Sequence, residues 1–289
     1  MSLTDQQIEQ RRKGIGSSDA PAVLGVDPYR GPGDVYLEKR LELAPISTEA
    51  IRSGDRLEPI LIKYAEEVLG KKIVASVRVA SDDGVNAANL DGMVEYDPIN
   101  EVLTEIVEAK TTGLVDGWGD PKELNTVPDK VLIQTHHQFY VTGAVVAWVP
   151  VILARFGLKF EMHRVERDDE LAAMVGQRCI DFWRNHVETG VEPGEAPKLD
   201  ALTRVKRVPG KVVRIDGALL VAYRAANEAA KAAKKTADQA KAELLASIGD
   251  GDGGRSDAGC FTYLEYQRKG YAVKPSSYRQ MKEVKGELT

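Results

Sequence analysis

The chain has two cysteines, Cys179 and Cys260, in 289 residues. That is too few for a disulfide framework, and their separation fits no zinc spacing. Two thiols also fall short of the four that hold an iron–sulfur cluster. No apolar run reaches the length of a membrane span and no charged-then-apolar leader opens the sequence, so the expectation is a cytosolic protein. No Gly-rich loop ends in Lys-Ser or Lys-Thr, so nothing points to an ATP motor. Of the four histidines, His136 and His137 are neighbours on a predicted helix and face apart, while His163 and His186 are isolated. Structural or surface roles suit each of them. What remains is an ordinary globular composition, 43% hydrophobic and 29% charged. The length fits one large domain or a domain with an appendage.

The net charge of −5 is spread unevenly. Residues 202–289 hold 17 Lys/Arg and 10 Asp/Glu, net +7; residues 1–201 hold the other 22 and 34, net −12. Such asymmetry points to contact between the basic part and nucleic acid or another acidic surface. The plainer reading is a solvated helix.

Ser17-Ser18-Asp19 before Ala20-Pro21 reads as capping side chains followed by Pro in a first helical turn. Helical periodicity follows over 33–43 and 48–69, with Gly70 closing the second. Strand patterns occupy 72–80, 87–95 and 102–109, with a turn signal at 97–100. Residues 111–127 are loop-like, 128–141 helical, 145–156 and 159–166 strand-like, and 168–188 an amphipathic helix. The mixed order predicts an α/β or α+β layer fold with a central mixed sheet flanked by helices. This unit spans 1–192. A Pro/Gly-rich hinge and a basic segment cover 193–216, and a long Ala/Lys-rich helix with a small C-terminal unit covers 217–289. That helix, over 218–248, reaches on the order of 45 Å. Aromatics and cations mix over 260–280 (Phe261, Tyr263, Tyr266, Tyr271, Tyr278, Arg268, Lys269, Lys274, Arg279). They suit either stacking on single-stranded nucleic acid or a small hairpin. Asp250 and Asp252 alternate with glycine but lack the full calcium-loop pattern, so the segment reads as a turn.

The chemistry concentrates in Asn89-Leu90-Asp91-Gly92-Met93 and, seventeen residues after the aspartate, Glu108-Ala109-Lys110. The latter closes an apolar strand-like run, so Glu108 and Lys110 share a face. With 44 acidic residues and 20 lysines, chance gives roughly three acid-x-Lys tripeptides. The chain has three, at Glu108/Lys110, Asp120/Lys122 and Glu283/Lys285, so the tripeptide alone carries no information. Only the first lies on a strand with an Asp upstream, placed by this reading beside a Gly92 turn. Two converging carboxylates suit Mg²⁺, with Mn²⁺ as the alternative, and the Ala109 carbonyl adds a third oxygen. Lys110 then acts either as general base or by electrostatic stabilisation, and its carboxylate neighbours favour the second. Near the N-terminus, Arg12, Ser17 and Ser18 flank glycines that let backbone approach a phosphate.

Four pieces in order (Gly14–Asp19, Gly54-Asp55-Arg56-Leu57-Glu58-Pro59, the Asp91 to Lys110 core, and Val127-Pro128 leading to Gln134-Thr135-His136-His137-Gln138) resemble the YqaJ-type viral recombinase family. Its members are relatives of the phage lambda exonuclease within the PD-(D/E)xK nucleases. The resemblance covers about residues 10 to 192. It departs at Val131, where many relatives carry tyrosine, and at His136, where a second glutamine is common. It implies a restriction-endonuclease-like core and a 5′→3′ exonuclease on double-stranded DNA ends, leaving 3′ single strands. Glu58 is then a further carboxylate toward the metal, and Gln134 holds the water or the lysine. Arg12 and Ser18, with Ser17 beside them, grip the 5′-terminal phosphate. A single-strand annealing protein is the implied partner and a homotrimer the implied assembly. A restriction- or junction-type endonuclease and a non-catalytic DNA-end binder are the competing readings.

Overall fold

The computed structural model describes residues 11–41, 43–44, 48–97, 102–114, 116–154 and 157–267. Residues 1–207 and 208–289 form two separate compact units. The first is an α/β unit built on a seven-stranded mixed sheet. In chain order its elements are β1 (Ile15–Gly16), α1 (Ala20–Val23), α2 (Pro32–Arg40), α3 (Glu49–Leu69), β2 (Val74–Ala80), β3 (Asn86–Asp97), β4 (Val102–Val107) and β5 (Lys110–Thr112). There follow α4 (Asp129–Thr142), β6 (Val146–Leu153), β7 (Lys159–Glu166), α5 (Asp169–Phe182) with a wider π-turn over Trp183–Glu188, and α6 (Leu199–Arg204). The predicted helices and strands are found within a few residues, and β1, two residues long, is an element the sequence pattern does not reveal.

β3 is the hub, pairing antiparallel with β2 and β4 and parallel with β1. β6 pairs antiparallel with β7 and parallel with both β4 and β5. Its run of buried residues from Val149 to Leu153 is the pattern of a strand covered on both faces. α4 packs against β3 and α5, and α3 against β5 and β6. The core between them is filled by Leu90, Ile106, Phe139, Val149 and Val165, all nearly or fully buried.

Three readings change. Asp91-Gly92 is not a turn: β3 runs straight through it, with Gly92 opposite both Ala75 and Val107. Glycine is required there because a Cβ would collide with the Ile73 side chain. Asp19 is not a helix cap, since no side-chain cap bond forms at α1. It is instead the centre of an ion cluster, bonded to Lys39 at 2.6 Å and Arg30 at 2.9 Å. The stretch expected as linker and basic segment, 193–216, is docked up to Val205. Ala201 and Val205 pack on Leu37, the Lys198 N–H donates to Asp34 at 2.7 Å, and Arg204 pairs with Glu38 at 2.9 Å.

The second unit holds α7 (Gly217–Ile248) and a hairpin, β8 (Gly253–Ser256) with β9 (Gly259–Thr262). Asp216 caps α7 by accepting from the Ala218 N–H at 2.9 Å. No residue of α7 is buried, so alanine propensity and pairs such as Lys234–Asp238 support it. Tyr271, Tyr278, Arg268, Lys269, Lys274 and Arg279 lie outside the described residues, as does the turn signal at 98–100.

Candidate active site

β4 and β5 are one strand with a gap. Val107 pairs with Trp148 and Lys110 with Val151, so the register on β6 is unbroken across Glu108-Ala109. The ladder runs as far as the Glu108 N–H, which donates to the Trp148 carbonyl at 3.0 Å. Parallel pairing would next bring the N–H of residue 150 to the Glu108 carbonyl, and Pro150 has none. Pairing lapses there, and on the opposite side, toward β3, the Ala109 N–H donates to the Asp91 carboxylate, 2.8 Å from Oδ2. A proline on the neighbouring strand thus opens the sheet where the two carboxylates meet.

Glu108 is 3% exposed and held by three donors. Lys110 Nζ lies 2.5 Å and Gln134 Nε2 2.6 Å from its Oε1, and Gln138 Nε2 donates to Oε2 at 2.5 Å. Lys110 also donates to Gln134 Oε1 at 3.0 Å. Gln134 and Gln138 are one turn apart on α4, so one helical face delivers both amides. Gln138 was quoted in the sequence motif without a role, although its i+4 spacing from Gln134 was the available signal. Its Oε1 is buried without a hydrogen-bond partner, a cost offset by its bond to a charged acceptor.

The electrostatics are those of crowded carboxylates. Burial and then the charge on Glu108 raise Asp91 well above the ordinary carboxylate value, with Lys110 opposing. Glu58, on α3, is raised by burial and by Asp55 and Glu108. Burial would lower Lys110, but Glu108 and Asp91 outweigh it and keep the ammonium charged. A carboxylate offers about four lone-pair positions and Glu108 uses three, so Oε2 keeps one. Among the described residues no cluster of three or more Asp, Glu, His or Cys side chains stands at metal-ligand spacing. The groups that could hold a cation are Asp91, Glu108 and backbone oxygen, with Glu58 lining the same cavity. Two carboxylates completed by carbonyl and water fit a hard, well-hydrated ion such as Mg²⁺.

Asp91 and Glu108 form a wall between two cavities. One is acidic, lined by Asp55, Glu58, Ala109, Lys110 and Thr111. The other is lined by Arg11, Ser17, Ser18, Arg78, Asn89 and Gln134, with two arginines and two hydroxyls. Of the residues expected to hold a phosphate, Ser17 and Ser18 line this cavity and Arg12 does not. Arg11 takes that place, donating to Ser18 Oγ at 3.1 Å. Arg78 and Asn89, bonded at 3.2 Å, are additions. Asn89 was legible, since strand alternation puts it on the face of Asp91; Arg78 is its direct partner on β2. Glycine contributes differently from expectation. Gly14 makes its close approach to the Val85 carbonyl, where a Cβ would collide, and Gly16 has room for one.

Residues 7–145 match the YqaJ-like viral recombinase domain. The uncharacterized protein YqaJ of Bacillus subtilis is 32% identical over 204 residues, which cover 68% of this chain and 59% of that protein. The chain thus spans under two thirds of that relative's length. The fold is similar to that of LHK-Exo, an alkaline exonuclease from Laribacter hongkongensis. In complex with dAMP, LHK-Exo aligns with a TM-score of 0.53 at 19% identity, covering 65% of this chain and 94% of LHK-Exo. A second LHK-Exo structure aligns with 0.51 at 17%, over the same shares. At these identities the likeness concerns the fold.

Proposed function

We propose that this chain, which carries a YqaJ-like viral recombinase domain over residues 7–145, is a divalent-cation-dependent deoxyribonuclease. It digests linear duplex DNA 5′→3′ and leaves 3′ single strands for recombination. The observation that carries this reading is the three-donor clamp on Glu108, beside Asp91, at the wall between a cationic and an acidic cavity.

Asp91, Glu108 and the Ala109 carbonyl would hold Mg²⁺ or Mn²⁺, with Glu58 contributing from α3. When bound, such an ion neutralises charge on the scissile phosphate and eases deprotonation of water. Lys110, charged beside its carboxylates, stabilises the charge that builds on the phosphate and is not the base. Gln134 bridges Lys110 and Glu108 and fixes the ammonium in place. Arg11, Ser18 and Arg78 take the 5′-terminal phosphate, so the bond to be cut lies one nucleotide away, across the carboxylate wall.

The resemblance to the lambda-like exonucleases supports two further elements. These are assembly as a closed trimer around the duplex and transfer of the 3′ strand to a single-strand annealing protein. The basic segment after residue 202 guides the duplex or docks the annealing partner.

The test is digestion of linear duplex with 5′-phosphates, in Mg²⁺ or EDTA, with Lys110→Ala and a covalently closed circle alongside. Mononucleotides from linear DNA alone, lost in EDTA and in the variant, are the expected result. Cutting of the circle makes the chain an endonuclease, and intact DNA with retained binding makes it an end-binding module.

A further inference from the structure

His137, one of two buried histidines of α4, is unused by this chemistry, yet it touches Ser17 in the wall of the phosphate cavity. His137 is fully buried. Its Nδ1 lies 3.0 Å from Ser17 Oγ, and its Nε2 lies 2.9 Å from Asn86 Oδ1. The surroundings fix every proton in this chain. The Asn86 amide nitrogen sits 2.9 Å from Asp83 Oδ2 and 3.3 Å from the Gly176 carbonyl, and both can only accept. Asn86 Oδ1 therefore faces His137 and takes a proton from Nε2–H. Nδ1 is left with its lone pair, so the Ser17 hydroxyl must donate to it. Asp83 is itself anchored by the backbone N–H groups of Val85 and Asn86, at 2.7 and 2.8 Å. Burial lowers the imidazole pKa to about 4, which keeps the ring neutral and this arrangement intact at neutral pH.

Two consequences follow for the cavity. The Ser17 hydroxyl, 4% exposed, has spent its proton and cannot donate to a phosphate oxygen. Ser18 is the opposite case: its oxygen accepts from Arg11 at 3.1 Å, which leaves its O–H free to point elsewhere. The turn between β1 and α1 is thus pinned at Ser17 so that Ser18 and Arg11 face the cleft. The pin stands on α4, the helix that also carries Gln134 and Gln138 to Glu108.

We propose that His137 is a positioning residue for the terminal phosphate: through Ser17 it orients the Ser18–Arg11 pair, and so sets the preference for phosphorylated over unphosphorylated 5′ ends. The inference rests on the 5′-end reading above.

The test compares linear duplexes with 5′-phosphate and 5′-hydroxyl ends. Enzymes are wild type, His137→Phe, His137→Asn, Ser17→Ala and the double variant Ser17→Ala/His137→Phe. Losing one buried hydrogen bond should raise KM for the phosphorylated end by about tenfold in His137→Phe and in Ser17→Ala, with kcat altered far less. His137→Asn places an amide oxygen near the Nδ1 position and should restore most of the preference. The double variant should be no worse than either single one, because both remove the same bond. A preference unchanged in both Ser17→Ala and His137→Phe overturns the proposal while leaving the 5′-end reading intact. Equal rates on both ends in the wild type overturn the two together. Ser17→Ala, a small change at the cavity wall, keeps the test decisive if the histidine variants fold poorly.

Discussion

Replacing Asp19 by Asn removes the charge at the centre of the buried cluster and keeps the side chain's shape. Asp19 is 5% exposed and binds the Lys39 ammonium at 2.6 Å, Arg30 at 2.9 Å and the Gly16 N–H at 3.2 Å. Burial alone would raise its pKa, but Lys39 and Arg30 outweigh burial and hold it far below the usual carboxylate range. Stripping one partner from a buried pair costs about 3–5 kcal/mol, because the other charge is stranded. Here the stranded cations keep something: Lys39 the Arg11 carbonyl at 2.6 Å and Arg30 the Glu38 carboxylate at 2.6 Å. The lower end, about 3 kcal/mol at pH 7, is therefore expected. The folded-state pKa is depressed, so this stability is fully present above the unfolded value of 3.8 and drains away as pH falls below it. At pH 3 the gap between wild type and Asp19→Asn should have narrowed by about 1 kcal/mol. Urea unfolding followed by tryptophan fluorescence measures this cleanly, because all three tryptophans, Trp118, Trp148 and Trp183, lie in the first unit. A loss below about 1 kcal/mol at pH 7 would mean that the cluster is no better than a surface ion pair.

Lys110→Met should cut turnover by about a thousandfold, on the scale of a lost transition-state donor, while a gel-shift assay still shows the variant binding duplex. Loss of binding in step with turnover would contradict the role given to the lysine. Gln138→Leu removes one donor to a buried carboxylate and should lower kcat/KM by about 10- to 100-fold, which steady-state assays on linear duplex resolve; unchanged kinetics would make the contact incidental. Because the His137 pKa of about 4 lies below its ordinary 6.5, the unfolded chain takes up a proton that the folded chain refuses. Wild type should then lose about 3 kcal/mol between pH 6.5 and 4 that His137→Asn does not lose. Parallel stability-versus-pH curves for the two proteins would dispose of that argument.

What the sequence made legible is local. The apolar run ending at Glu108 announced a strand, and alternation put Glu108 and Lys110 on one face; both hold. Helical spacing could equally have extended Gln134 to Gln138, and strand alternation Asp91 to Asn89. The misread residues share a cause, which is a partner distant in sequence. Gly92 looks like a turn until Ile73 is brought across the sheet. Asp19 looks like a cap until Lys39 and Arg30 arrive from α2 and the loop before it. Arg12 and its neighbour Arg11 cannot be told apart by composition; only the path of the chain past Ser18 separates them. The stretch around Pro193, Gly194 and Pro197 reads as a hinge, yet Asp34, Glu38 and Leu37 hold down the chain that follows it.

The placement of the site follows from two residues that are not chemical at all. Pro150 denies the Glu108 carbonyl its ladder partner on β6, so the sheet gives way one residue before Lys110, while the Ala109 N–H, which points to the β3 side, binds Asp91. α4 then closes the gap from above, with Gln134 and Gln138 on Glu108 and His137 on Ser17. Because all three side chains leave the same helix, any rotation of α4 moves all three contacts together. Glu108 and the Ser17–Ser18 turn are therefore coupled through one helix. A substitution that shifts α4 should disturb phosphate preference and turnover in the same proportion, whereas one confined to Ser17 should separate them.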